Sequence, residues 1–156
     1  INGEQYIFCF GSSDVSASSL NTIAQLKVMK VGLDFKLRAT ASNGVSLVTL
    51  DSNLGDVWPD EWFMATVRYD GTDLKLTIQT TEASRVDYSV ALTSSVTGAS
   101  GSAIESLLGI DTDLYDESKL YGQLGYLGIW NAYLTDHDVN ALFNNGVTIT
   151  EPTSSI

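Results

Sequence analysis

Short runs in which apolar and polar residues alternate recur along this chain, and they constrain its fold more than any other feature. In LDFKLRA, residues 33–39, every second residue from Leu33 to Leu37 is apolar, and charged residues lie between them. Because successive side chains of a β-strand point to opposite faces, such a run predicts a strand with one buried face. Residues 73–79 and 86–92 alternate in the same way. Further apolar runs of strand length occupy residues 5–10, 23–29, 45–50 and 62–69.

Glycine-containing turns separate these predicted strands. Val31-Gly32, Ser42-Asn43-Gly44 and Asp70-Gly71 supply the positive φ angles that tight connections need. The turn at residues 70–73 joins the runs 62–69 and 73–79, so we expect an antiparallel hairpin there. Many short strands with hardly any helix predict an all-β fold, arranged as an antiparallel two-sheet β-sandwich or a barrel.

One short helix is predicted near the C-terminal end of the sequence. Thr135 can cap its first turn, and Asp138 stands three residues on as the acidic partner of a capping box. Apolar residues at i, i+3 and i+4 then form one stripe, and Gly146 follows as the residue past the end. These features predict a helix from Asp136 to Asn144 whose apolar side covers an edge or end of the sheets. The stripe consists of Val139, Leu142 and Phe143.

The composition bounds the class of protein and its partners. The 156 residues suit a single domain, which we place at residues 1–150, with residues 151–156 as an exit tail or linker. Nineteen acidic against eight basic residues give a net charge of −11, which repels nucleic acid and anionic lipid. No run approaches the roughly 18 apolar residues of a membrane span, so we expect neither nucleic-acid binding nor membrane insertion. Cys9, the only cysteine, cannot form an intrachain disulfide, and its apolar neighbours predict a buried thiol.

Two motifs of the chain are similar to those of a known superfamily. The first is Trp62-x-x-Ala65-x-Val67-x-Tyr69-Asp70-Gly71, and the second is Leu127-x-Ile129-Trp130-Asn131-x-x-Leu134-Thr135-x-x-x-Val139-x-x-Leu142-Phe143-Asn144-x-Gly146. With them the chain resembles the concanavalin A-like jelly-roll superfamily, and within it the laminin G-like domains. The resemblance implies a jelly roll closed by the short C-terminal helix. It also implies a late strand through Leu127 and Ile129, with Trp62 and Trp130 in the core or on a sheet face.

The resemblance implies recognition of glycans or proteins more often than catalysis. Such domains occur in surface proteins, adhesins, accessory modules of secreted enzymes, and phage or virus appendages, so we expect an extracellular, cell-surface or virion-surface location. Glycoside hydrolases of the superfamily group their carboxylates as Glu-x-Asp-x-Glu on one strand, and no glutamate of this chain has an aspartate two positions on. His137 is the only histidine, and the sequence contains no G-x-S-x-G nucleophile elbow with which it could act as a catalytic base. We therefore expect no enzyme, and a glycoside hydrolase is the least favoured interpretation.

An acidic loop is the candidate metal site. The stretch DTDLYDE, residues 111–117, groups four carboxylates within seven residues, and hard oxygen ligands of this kind suit Ca²⁺. The spacing does not match an EF-hand, since Tyr115 stands in its middle and no glycine follows. The alternative is a solvated acidic loop without a metal. The four candidate ligands are Asp111, Asp113, Asp116 and Glu117.

Exposed aromatic residues beside polar groups are the candidate glycan contacts. Trp58 lies in NLGDVWPDEW between Asp56 and Asp60, next to a proline, which predicts a rigid loop. A tryptophan ring can stack on the apolar face of a sugar while carboxylates accept hydrogen bonds from its hydroxyls. Tyr115, within the other acidic loop, and Tyr121, just after it, complete the predicted set.

Two functions follow from these observations. The first is a non-catalytic recognition module that binds a carbohydrate or a glycosylated surface, with Ca²⁺ as a predicted cofactor at the acidic loop. The alternative is a structural domain of a phage or virus particle, or of a surface assembly, that contacts protein neighbours.

Overall fold

The computed structural model describes residues 3–12, 22–42, 47–80, 85–92, 104–108 and 120–143. These residues form eight strands and one helix, which confirms an all-β fold with a single short helix. The strands are β1 (Glu4–Ser12), β2 (Thr22–Val31), β3 (Asp34–Ser42), β4 (Leu47–Asp51), β5 (Phe63–Tyr69), β6 (Asp73–Thr80), β7 (Val86–Ala91) and β8 (Ile104–Leu108), and the helix is α1 (Asp136–Phe143).

The strands form two antiparallel sheets. The larger sheet has the order β4-β3-β2-β1-β8, and the smaller has the order β5-β6-β7. The predicted hairpin is confirmed: β5 pairs with β6 from Phe63↔Thr80 to Tyr69↔Leu74. In the turn, Gly71 has a φ of +100°. The Asp70 carboxylate accepts hydrogen bonds from the backbone N–H groups of Thr72 and Asp73, at 2.9 and 2.8 Å.

Both sheets contribute to one buried apolar cluster. Leu26 and Leu37 enter it from the larger sheet, and Leu74, Leu76 and Ile78 enter it from the smaller one. Strand β4 contacts β6 and β7, which brings the sheets together at that side. Each fully buried side chain of this size contributes about 1.5–3 kcal/mol relative to an exposed one, so this cluster is the main source of stability.

Two smaller predictions can be judged directly. Cys9 is buried, as its apolar neighbours predict. Leu33 was expected to share a buried face with Leu37, but it lies in the β2–β3 turn beside Gly32 and is exposed. Gly32 takes a φ of +66° in this turn, and strand β3 begins at Asp34, one residue later than the alternation alone suggests.

Helix α1 carries the predicted cap and the predicted apolar stripe. Thr135 N donates to Asp138 Oδ2 at 2.8 Å, and Asp138 N donates back to Thr135 Oγ1 at 3.3 Å, which is a capping box. Val139 and Leu142 are buried. The helix is tied to the small sheet by polar contacts as well, including a 3.3 Å hydrogen bond from Gln79 Nε2 to Asn140 Oδ1. It is therefore held to the sheet partly by hydrogen bonds, and not by an apolar edge alone.

The late strand through Leu127 and Ile129 is absent. Residues 120–134 contain no strand, and Ile129 is 67% exposed. Three glycines stand in this segment at every third position, 122, 125 and 128, which interrupts the period of two and leaves gaps in any packed face. The expectation for the two tryptophans is also wrong, since Trp62 precedes β5, Trp130 lies in this irregular segment, and both are exposed.

Candidate functional site

The loop between β4 and β5 is fixed to the larger sheet before it reaches Trp58. Ser52 N donates to the Leu37 carbonyl oxygen at 2.9 Å, and Leu37 N donates to Ser52 Oγ at 3.0 Å. Three residues further on, Gly55 N donates to the Phe35 carbonyl oxygen at 2.9 Å. Val57 then enters the buried cluster. Because the loop is anchored to β3 and to the core, the position of the next residue, Trp58, is fixed.

Asp56 closes this loop onto the smaller sheet. Its Oδ2 atom accepts a hydrogen bond from Asn53 N at 2.8 Å and a short one from the hydroxyl of Tyr88 in β7. Asn53 N also donates to the Tyr88 hydroxyl oxygen at 3.1 Å. Burial and the hydrogen bond to Asp56 raise the pKa of Tyr88, so the phenol stays protonated and continues to donate. The contact of Asp56 with a ligand stays a prediction, and the structure shows that Asp56 holds the loop.

Trp58 lies at the outside of this anchored loop and is 51% exposed. Its ring rests against Gly55, where a Cβ atom would lie 3.4 Å from ring atom Cζ2. Gly55 has a φ of +84°, a conformation that favours glycine, so the turn and the seat for the ring depend on the same residue. The ring forms one wall of a cleft of about 110 Å³, which we name the Trp58 cleft. It is lined by Gly55, Asp56, Trp58, Glu61, Ile78, Thr80 and Val86.

The Trp58 cleft combines apolar and polar groups on a small surface. Ile78 and Val86 come from β6 and β7 and supply aliphatic carbons beside the Trp58 ring. Glu61 supplies a carboxylate, and Thr80 supplies a hydroxyl that can donate or accept. Such a surface suits a ligand that has an apolar face and several hydroxyl groups.

The remaining predicted glycan contacts are distributed differently. Asp60 is exposed with a φ of +66° and does not line the cleft. Tyr121 is exposed near β1, where its backbone N–H donates to Gln5 Oε1 at 3.1 Å, so it does not line the cleft either. Sequence reasoning missed Glu61 and Thr80 as lining residues. Thr80 ends β6 and has no local motif that marks it, because the pairing of strands brings it to Trp58.

The candidate calcium ligands lie outside the described residues. The prediction for Asp111, Asp113, Asp116 and Glu117, and the prediction for Tyr115, therefore stay predictions. Within the described part of the chain, no group of three or more histidine, cysteine or acidic side chains is placed to hold a metal ion. The same part contains no helix long and apolar enough to cross a membrane.

A second cleft, of about 200 Å³, lies on the outer face of the small sheet, and we name it the polar cleft. Arg68 is buried beneath it and donates to Asp136 Oδ1 at 2.8 Å. Arg85 donates to the same oxygen at 2.5 Å and to Asp87 Oδ2 at 2.8 Å. Hydrogen bonds from Arg85 and Arg68 hold the pKa of Asp136 below its usual range. The cleft is lined by Arg68, Lys75, Asp87, Tyr88, Ser89 and Asp136.

A third feature is an uncharged, exposed segment, residues 120–134, which we name the neutral segment. It contains no acidic or basic residue. Gly125 lies under the ring of Trp62, where a Cβ atom would lie 3.3 Å from ring atom Cζ3, and Gly128 lies under the ring of Trp130. The exposed large apolar residues of the segment are Tyr121, Leu124, Tyr126, Leu127, Ile129, Trp130 and Tyr133.

No protein-family model, no curated protein and no solved structure matches this chain.

Proposed function

We propose that this chain is a non-catalytic recognition module that binds carbohydrate at the Trp58 cleft. One observation carries the proposal: a half-exposed tryptophan ring, held on an anchored loop, stands beside a carboxylate and a hydroxyl over aliphatic carbons. The C–H face of a sugar ring can stack on the indole while its hydroxyl groups bond to the Glu61 carboxylate.

The proposal includes a laminin G-like jelly roll, with the two sheets packed as a sandwich, as the fold. It is supported by the buried cluster to which both sheets contribute, and by the predicted β5–β6 hairpin and capped helix. It also includes an extracellular, cell-surface or virion-surface location, which the resemblance implies.

The size of the cleft favours a sugar on a surface over an enclosed small molecule. Pockets that enclose drug-sized ligands commonly measure about 300–1,000 Å³, and the Trp58 cleft measures about 110 Å³. A shallow cleft of this kind contacts one face of one sugar unit and leaves the rest of a glycan in solvent.

The state of the carboxylates favours binding over hydrolysis. Glycoside hydrolysis needs one carboxyl group that donates a proton and a second one that attacks or activates water. Asp56 and Glu61 both line the cleft, but Asp56 Oδ2 already accepts hydrogen bonds from Asn53 N and the Tyr88 hydroxyl. An attack by that oxygen would require the loop to give up both bonds.

Affinity electrophoresis against a panel of polysaccharides tests the proposal, followed by calorimetry with the glycan that retards the protein. Trp58→Ala should weaken binding at least tenfold, since losing about 60 Å² of apolar contact at ~25 cal/mol per Å² corresponds to ~1.5 kcal/mol. Trp62→Ala is the matched control, because Trp62 is 57% exposed, lies four residues away and does not line the cleft. Equal affinities of wild type and Trp58→Ala, or no retardation by any glycan, would contradict the proposal.

A second candidate function rests on the neutral segment: a structural domain that contacts protein neighbours in a particle or surface assembly. Contiguous exposed apolar side chains are typical of protein interfaces, and this segment exposes several without a single charge. Ile129→Lys should then abolish assembly, measured by sedimentation of the parent particle or complex, while the Trp58 cleft still binds its glycan. Unchanged assembly would remove this candidate.

A further inference from the structure

The structure assigns a second ligand site to the polar cleft, and we infer that its ligand is an uncharged sugar bound through its hydroxyl groups. This site is separate from the Trp58 cleft. The inference shares the ligand class of the proposed function but is argued from different residues.

The floor of the polar cleft is one row of side chains across three strands. Arg68 in β5 pairs with Lys75 in β6, and Lys75 pairs with Ser89 in β7. Neighbouring strands lie about 4.8 Å apart, so the row spans roughly 10 Å. Asp87 lies in the adjacent row, opposite Thr77, and Asp136 approaches from the first residue of helix α1. A cleft of this width accommodates a single sugar ring.

The charges of the cleft are already balanced within the protein. Asp136 Oδ1 accepts from both Arg68 and Arg85, and Arg85 also holds Asp87. Lys75 forms an ion pair with Asp70 at 2.8 Å. A cationic ligand would meet carboxylates that are already paired, and an anionic ligand would meet guanidinium groups that are already committed. An uncharged ligand requires neither set of ion pairs to break.

The same groups still offer hydrogen bonds to hydroxyls. A carboxylate provides about four acceptor positions, and both guanidinium bonds to Asp136 use Oδ1, so Oδ2 can accept from a ligand. The Asp136 side chain is 70% exposed. Ser89, which is also exposed, can donate or accept. Hydrogen bonds from hydroxyl groups to a carboxylate are charge-assisted and therefore among the stronger ones.

Two features hold the basic side chains of the cleft in place. Arg68 Nη1 also donates to the Leu134 carbonyl oxygen at 3.0 Å and Nη2 to Thr77 Oγ1 at 2.9 Å, so the guanidinium that positions Asp136 is itself fixed. The ring of Tyr133 lies 5.5 Å from the Arg68 guanidinium and 5.5 Å from Lys75 Nζ, which places it beside the floor. Groups held in place before binding lose little conformational entropy when a ligand arrives.

The test uses the full chain and three uncharged probes, the methyl glycosides of glucose, galactose and mannose. Backbone amide NMR should show concentration-dependent shifts at Asp87, Ser89 and Asp136 with at least one of them. Ser89→Leu, which fills the cleft, should weaken that binding at least tenfold. Ala91→Leu is the control, because Ala91 is exposed on the same face of β7, two residues on, and does not line the cleft. Ser89→Gln provides a smaller obstruction if the leucine variant proves unstable.

The outcomes separate this inference from the proposed function. Shifts at Ser89 that survive Trp58→Ala and disappear in Ser89→Leu support the polar cleft whatever happens at Trp58. Binding that Trp58→Ala abolishes entirely, with no shifts at Ser89, overturns the inference and leaves the proposed function standing. The corresponding glucuronide and glucosaminide should bind more weakly than the glucoside, and tighter binding of either would overturn the assignment to an uncharged ligand.

Discussion

Arg68→Ala tests whether one buried guanidinium holds helix α1 against the small sheet. The Arg68 side chain is only 4% exposed. It donates to the Leu134 carbonyl oxygen just before the helix, to Asp136 at the start of the helix, and to Thr77 in β6. Its Nε atom has no hydrogen-bond partner among the described residues. The side chain therefore joins β5, β6 and the beginning of the helix at one point.

The contacts of Arg68 set the size of the expected effect. Hydrogen bonds that involve a charged group contribute about 1.5–3 kcal/mol each. Two of the three acceptors of Arg68, however, keep a second hydrogen bond after the substitution. Asp136 retains Arg85 at 2.5 Å, and Thr77 retains Asp87 at 2.6 Å. The unpaired Nε atom also carries a desolvation cost that the substitution removes. We therefore expect Arg68→Ala to lower the free energy of unfolding by about 3 kcal/mol, close to one or two such bonds and not to three.

Urea denaturation followed by tryptophan fluorescence and far-ultraviolet circular dichroism measures this loss. Arg68→Lys should fall between wild type and Arg68→Ala, because an ammonium group cannot reach all three acceptors with the geometry of a guanidinium. A double-mutant cycle with Asp136→Ala isolates the contact between the two side chains. A loss below about 1 kcal/mol for Arg68→Ala, or no coupling between residues 68 and 136, would refute the assignment of Arg68 as the residue that fixes the helix.

Three further perturbations test other parts of the structure. Hydrogen bonds from Arg38, opposed by burial and assisted by Lys36, lower the pKa of Asp51 to about 2. Because the pKa of Asp51 is lower in the folded state than in the unfolded state, the ionised carboxylate stabilises the fold above pH ~4, and this stabilisation is lost as the pH falls towards 2. After allowance for solvent screening, it should amount to about 1 kcal/mol. The difference in stability between wild type and Asp51→Asn should follow that curve, and a difference independent of pH would contradict it. Gly128→Ala should displace the Trp130 ring, since a Cβ atom would lie 2.2 Å from ring atom Cη2, and should shift the tryptophan emission. Gly122→Ala is its control, with no contact closer than 3.9 Å, and identical spectra for the two variants would refute the seating of Trp130. If the acidic loop binds Ca²⁺, millimolar Ca²⁺ should raise the melting temperature of the wild type, but not that of Asp111→Asn combined with Asp113→Asn. No rise in the wild type would exclude the calcium site.

The strands could be predicted because their cause is local. A strand with one face towards a core must place an apolar residue at every second position, and residues 73–79 do so where β6 buries Leu74, Leu76 and Ile78. The β5–β6 hairpin could be predicted because Asp70 and Gly71 supply its turn within four residues. In each case the residues that determine the structure are neighbours in the sequence.

The two clefts could not be predicted, because their residues meet only through strand pairing and helix docking. Arg68 and Asp136 are 68 positions apart, and Asp56 and Tyr88 are 32 positions apart. Thr80 reaches the Trp58 cleft because β6 pairs with β5 from Leu74 to Thr80. No periodicity or short motif predicts contacts between residues so far apart in the sequence. Trp58 and Asp56 could be chosen from the sequence only because a proline and flanking acidic residues mark their loop.

The neutral segment contains a sequence motif that predicts a strand, but its glycine spacing does not allow one to form. The motif from Leu127 to Leu134 leads into the capped helix, and the cap forms as expected because Thr135 and Asp138 need only each other. A strand, in contrast, needs side chains that alternate and a neighbour that accepts its hydrogen bonds. Glycines at 122, 125 and 128 remove side chains at a period of three, and two of those gaps are covered by the rings of Trp62 and Trp130. Because these rings rest on glycines and not inside a sheet, their outer faces remain exposed. We therefore base the second candidate function, contact with protein neighbours, on the neutral segment.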